Sequence, residues 1–77
     1  MLNYTKGELD KLLNDRMNEL LVFSGGYLHL AKMLGVAASR AQGWSERGRI
    51  SKAGARLIGR NSRLSGQFKP VYLRPDL

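Results

Sequence analysis

Apolar residues recur at Leu9, Leu12, Leu13, Met17, Leu20 and Leu21, with charged residues between them. That is the spacing of one face of a helix. Just ahead of it, Thr5-Lys6-Gly7-Glu8 fits a capping box, in which Thr5 and Glu8 each satisfy a free backbone N–H of the other. The pattern predicts a helix over residues 5 to 22, broken near Ser24-Gly25-Gly26. A second helix is predicted over Tyr27 to Leu34, with Leu30, Ala31 and Leu34 on one face and Leu28 beside them. Gly35 follows at once, as the left-handed C-cap position prefers, and Val36 plugs the turn into the core. A third helix over Ala37 to Arg47 turns Ala41 and Trp44 inward, and Gly48 ends it. Ser51 is an N-cap for a fourth, over residues 52 to 60, with Ile50, Leu57 and Ile58 facing inward. Residues 61 to 66 have loop composition. The final "QFKPVYLRPDL" alternates loosely at Phe68, Val71 and Leu73. Pro70 and Pro75 exclude a long helix and a central strand there. An extended tail or short edge strand is expected.

The order is all-α: four to five helices and an extended C-terminal tail. At 77 residues the chain has room for one domain with a modest core. It divides into an amphipathic first helix (1–23), a helix pair (24–48), and a fourth helix with tail (49–77). No cysteine is available for a disulfide or a thiolate metal site. His29 is the single histidine, and structural zinc needs about four ligands. No cofactor or metal is expected.

Net charge is +7, and its distribution is uneven. Residues 1 to 23 carry three basic and four acidic side chains. Residues 24 to 77 carry ten basic side chains against Glu46 and Asp76. A basic body behind a near-neutral first helix points to a polyanion, most simply nucleic acid. Without a cysteine nucleophile, a phosphate-binding glycine loop or a paired carboxylate pattern, the chain reads as no enzyme. No apolar run is long enough to span a membrane. The start "MLNYTKGELD" lacks the basic and apolar regions of a signal peptide, so the expectation is a soluble, cytoplasmic protein.

A helix-turn-helix needs two short helices, a tight turn and a small residue where they touch. Ala31 is that small residue, Gly35 makes the turn, Val36 buries it, and Trp44 closes the core. "LHLAKMLGVAASRAQGWSERGRIS" resembles the helix-turn-helix of lambda-repressor-like, Cro-type regulators of temperate phages and prophages, in particular the YdaS-like branch. The positions that carry the resemblance are Leu30, Ala31, Leu34, Gly35, Val36, Trp44, Gly48, Arg49 and Ile50. The ending "LRPDL", Leu73 to Leu77, is also similar to that branch.

The resemblance implies a cytoplasmic DNA-binding repressor acting as a homodimer on a short double-stranded operator. The third helix would lie in the major groove. Ala38, Ser39, Gln42 and Gly43 would face bases, and Tyr27 would stand where the family often contacts phosphate. Of these four base-facing positions Gln42 is the strong reader, because its amide pairs in bidentate fashion with adenine. Ala37 replaces a serine-like cap, and Gly43 inside the helix costs about 1 kcal/mol relative to alanine.

Arg40, Arg47, Arg49, Lys52, Arg56 and Arg60 are the candidate phosphate contacts. Arg56, Arg60 and Arg63 are spaced to line one helix face as a phosphate ridge or as a solvated basic face. The stripe Leu9, Leu13, Met17 and Leu20 either packs on the chain's own core or forms a dimer or partner interface. Two functions are open. One is a Cro-like DNA-binding regulator. The other is an antirepressor or partner that uses the same scaffold to hold another phage repressor.

Overall fold

The computed structural model describes residues 4–77, and among them every regular element is helical. In chain order these are α1 (Lys6–Ser24), α2 (Tyr27–Leu34), α3 (Ala38–Arg47), α4 (Lys52–Arg60) and α5 (Pro70–Leu73). None is long and apolar enough to cross a membrane.

Thr5 caps α1 as its sequence requires. Its hydroxyl accepts from the Glu8 N–H at 3.1 Å, and the Glu8 carboxylate accepts from the Thr5 N–H at 3.1 Å. The Thr5 N–H donated to the carboxylate favours ionised Glu8 and, with the Thr5 side chain, lowers its carboxyl below the usual range. α1 runs two residues beyond the expected end. Gly25, at φ 86°, then turns the chain, and the Gly25 and Gly26 N–H groups both donate to the Leu21 carbonyl. Buried Ser24 donates to the Leu20 carbonyl at 2.8 Å, so its burial leaves no polar group unpaired.

The turn between α2 and α3 is set by Gly35 in the left-handed conformation, φ 71°, and by the Val36 N–H donating to Ala31 at 3.1 Å. Ala31 is buried on the inner face of α2, and α2 packs chiefly on α3. α3 starts one residue later than its pattern suggests, because Ala37 is its N-cap and supplies no side-chain bond. Ala41 and Trp44 are buried, as their spacing predicts. Ser51 caps α4 by accepting from the Gly54 N–H at 3.0 Å. Gly54 lets the Trp44 indole approach α4 closely: a Cβ there would stand 2.7 Å from Trp44 Cζ2.

The C-terminal segment departs from expectation. Residues 62–67 form successive turns, and Pro70 opens the short helix α5 rather than an extended strand. Proline is suited to the first helical turn, where its missing N–H has no partner to lose. Asn61 organises the turns. Its side-chain oxygen accepts from the Arg63 and Leu64 N–H groups, and its amide donates to the Met33 carbonyl at 2.8 Å. Pro70 then seats on Gly59, where an added Cβ would be 2.6 Å from its ring.

α5 closes over α1. Arg16 donates to the Tyr72 carbonyl at 2.6 Å while its guanidinium lies 4.0 Å from the Tyr72 ring centroid. The Tyr72 hydroxyl donates to Glu19 at 2.8 Å, and this bond to a carboxylate raises the tyrosine pKa. Leu73 is buried. Arg74 forks onto Asp76 at 3.0 and 2.7 Å and donates to the Ile50 carbonyl at 2.9 Å. The ending "LRPDL" is thus a clamp that fastens the tail beside the start of α4.

This closure corrects the reading of α1. Leu13, Met17 and Leu20 are 0–2% exposed, so they are core residues and are not available as a dimer or partner interface. Leu9 is half-buried. The stripe is covered by α2, α3 and α5, the last of which forms where the sequence pattern predicts an extended tail.

Candidate nucleic-acid interface

α3 buries one side and presents the other. Opposite Ala41 and Trp44, helical geometry places Ser39, Gln42, Gly43 and Glu46 on the outward face. Ala38, Ser39 and Gln42 are exposed and Gly43 is half-buried, so the four residues taken as base-facing do lie on accessible surface. Their chemistry is already partly engaged. Gln42 Nε2 donates to the exposed Glu46 carboxylate at 3.2 Å. The Arg47 guanidinium folds back one turn over Gly43, close enough that a Cβ there would be 3.2 Å from Nη1. Arg40 lies with its guanidinium 5.8 Å from the Trp44 ring centroid.

α4 carries its charge on one face. Lys52, Arg56 and Arg60 follow at four-residue intervals, all exposed, while Gly54, Ala55 and Ile58 are buried on the other side. None of the three makes an ion pair among the described residues. Arg63 falls outside this ridge, because α4 stops at Arg60 and Arg63 lies in the following turn. Arg49 is also committed elsewhere. It pairs with Asp10 of α1 at 3.0 Å, with both side chains partly exposed. As a surface ion pair it is worth at most about 1 kcal/mol, so phosphate can compete for it. Tyr27 is half-buried against the core, at the first residue of α2.

The helix starts add to the positive character. α2, α3 and α4 have no acidic residue in their first turns, and neither Gly26 nor Ala37 supplies a side-chain cap bond. The first N–H groups of α2 and α3 therefore lack a side-chain acceptor at the cap, and helix starts of this kind favour anions. Lys52 at the first position of α4 sits at the positive end of that helix dipole, a placement that an anion would relieve.

Two features are not apparent from the sequence pattern. Glu46 was counted as a charge and not as a partner of Gln42, although their four-residue spacing is the signal for such a bond. The second is the pair Val22 and Phe23, at the end of α1. They are 83% and 47% exposed and border a shallow groove of about 510 Å³ with Phe68, Gln67, Asn18, Asp15 and Glu19. Phe23 meets Phe68 edge-on at 5.4 Å. The apolar surface left uncovered on α1 is therefore here and not on the Leu13–Leu20 stripe.

Comparison with protein-family models, curated proteins and solved structures returns no match to this chain.

Proposed function

We propose that the chain is a helix-turn-helix DNA-binding regulator of the Cro type, with α2 and α3 as the motif. The observation that carries this is the exposed stripe Lys52, Arg56 and Arg60, unpaired among the described residues, in a chain whose basic excess lies entirely beyond α1. Phosphate contacts supply most of the binding free energy of such domains and fix their register on the duplex. The stripe, with Arg40, Arg47 and the open starts of α2 and α3, fulfils that role. Gln42 and Ser39 supply base contacts. Sequence selectivity rests on very few groups, since Ala38 offers only a methyl contact to thymine. Repression of phage or prophage promoters, and assembly as a homodimer on a palindromic operator, follow from the family resemblance.

Affinity for duplex DNA measured over a series of salt concentrations tests this reading. Each neutralised phosphate contributes about −0.9 to the slope of log affinity against log salt. Replacing Lys52, Arg56 and Arg60 by alanine should reduce that slope by about 2.7 and weaken all sequences alike. A flat salt response of the unaltered chain refutes the proposal.

A specific observation favours the second reading, a protein-binding regulator on the same scaffold. It is the groove beside Val22 and Phe23, apolar at its centre and flanked by Asp15 and Glu19. Exposed apolar surface rimmed by polar residues marks protein contacts. On that reading Phe23→Ser abolishes complex formation with another repressor and leaves the salt slope on DNA unchanged.

A further inference from the structure

Glu46 is the only carboxylate on α3, and it stands on the face proposed to meet DNA, one turn after Gln42. A carboxylate placed among phosphates is repelled, so by itself it weakens binding to any duplex. Its bond to Gln42 gives it a second consequence. A glutamine amide has two N–H donors and one carbonyl oxygen with two lone pairs. One N–H is spent on Glu46. What remains is one N–H and the whole carbonyl. Those are the groups that bidentate pairing with adenine uses: the carbonyl accepts from the base amino group, and the N–H donates to ring N7. The bond to Glu46 therefore removes no reading capacity from Gln42. It restricts an exposed, flexible side chain before DNA arrives, and so reduces the ordering cost of the base contact. Repulsion lowers affinity for every duplex alike, and positioning restores part of it only where the adenine contact is made, so it is the positioning that raises the ratio of specific to non-specific binding.

We infer that Glu46 is a positioning residue for Gln42, holding its amide for adenine while lowering affinity for duplexes that lack the adenine contact. The inference rests on duplex binding through α3 and deepens that reading by naming the base and the residue that controls its selection. Glu46 is the device by which a helix with a single strong reader keeps selectivity against its own basic surroundings.

The test uses the full chain and two probes: a random-sequence duplex pool, and the duplex that the unaltered chain selects from it with adenine replaced position by position. Glu46 and Gln42 are both exposed, so the variants keep the fold, and thermal melting checks this. Gln42→Ala should lose an adenine preference of about tenfold at one position. Glu46→Ala should lose about two- to threefold of that preference and bind the random pool several-fold more tightly. Glu46→Gln keeps a carbonyl able to accept from Gln42. It should therefore retain the preference while sharing the tighter binding to the pool. In a Gln42→Ala background, Glu46→Ala should leave base preference unmoved. Full adenine preference in Glu46→Ala, or unchanged pool affinity in Glu46→Gln, overturns the inference. So does salt-dependent binding by the unaltered chain without any adenine preference, which leaves the proposed DNA-binding function standing. An unaltered chain that does not bind duplex removes both.

Discussion

Two helical glycines should respond to alanine with opposite signs. In a helix interior, glycine to alanine ordinarily stabilises by about 0.5–1 kcal/mol, because the unfolded chain loses conformational freedom. At Gly54 the new Cβ would lie 2.7 Å from Ile50 Cγ1 and 2.7 Å from Trp44 Cζ2. Ile50 and Trp44 are each 1% exposed and have no solvent to move into. Overpacking of this kind costs about 1–3 kcal/mol, which exceeds the propensity gain. At Gly43 the nearest atom is the tip of the flexible Arg47 side chain, at 3.2 Å. Arg47 is exposed and can swing away, so only the gain remains. A domain of this size shifts its Tm by about 4–8 °C per kcal/mol. The net loss of about 0.5–2 kcal/mol should make Gly54→Ala melt about 2–16 °C below the parent chain, and Gly43→Ala should melt about 2–8 °C above it. Circular dichroism melts with matching urea titrations read both. If Gly54→Ala melts at or above the parent, the packing of the Trp44 indole on α4 is wrong.

Three further outcomes follow from the tail and its turns. Arg74→Ala removes the fork to Asp76 and the bond to the Ile50 carbonyl, and should cost about 2 kcal/mol in urea unfolding; a loss below about 0.5 kcal/mol contradicts the clamp. The Arg74 hydrogen bonds hold the Asp76 carboxyl below its ordinary range. A lowered folded-state pKa gives stability that is present above the unfolded value and lost as pH falls through the folded one. The clamp should thus weaken as pH falls below about 4, and Asp76→Asn should show a flatter acid limb in pH-dependent melts. Asn61→Ala leaves the Met33 carbonyl and the Arg63 and Leu64 N–H groups without their side-chain partner, and should lower stability by about 1–2 kcal/mol, measured by the urea midpoint.

Local signals in the sequence located the helices well. The Thr5–Glu8 box, the glycines after α1, α2 and α3, and Ser51 ahead of α4 each act within one turn of their own position, so the string of residues contains what is needed. Trp44 and Ala41 were legible as core for the same reason. The C-terminal segment was not, because its structure depends on distant partners. Asn61 reaches Met33, Pro70 needs the space over Gly59, and Arg74 needs the Ile50 carbonyl. With the tail expected to be extended, Leu13, Met17 and Leu20 could be either core or interface, and α5 and its neighbours make them core. The same limit applied to the candidate site. Spacing identified the outward residues of α3 and the Lys52–Arg56–Arg60 face. It did not reveal that Arg49 is held by Asp10, or that Arg63 has left the helix.

The most direct measurement of the central claim is a map of backbone amide shifts on the isotope-labelled chain as duplex DNA is added. The account predicts that residues 38–47 and 52–60, together with the start of α2 at Tyr27, shift and broaden as DNA is titrated and recover as salt is raised. Residues 15–23, 67 and 68, around the Val22–Phe23 groove, should stay unmoved. Shifts confined to that groove, or none on α3 and α4, would contradict it.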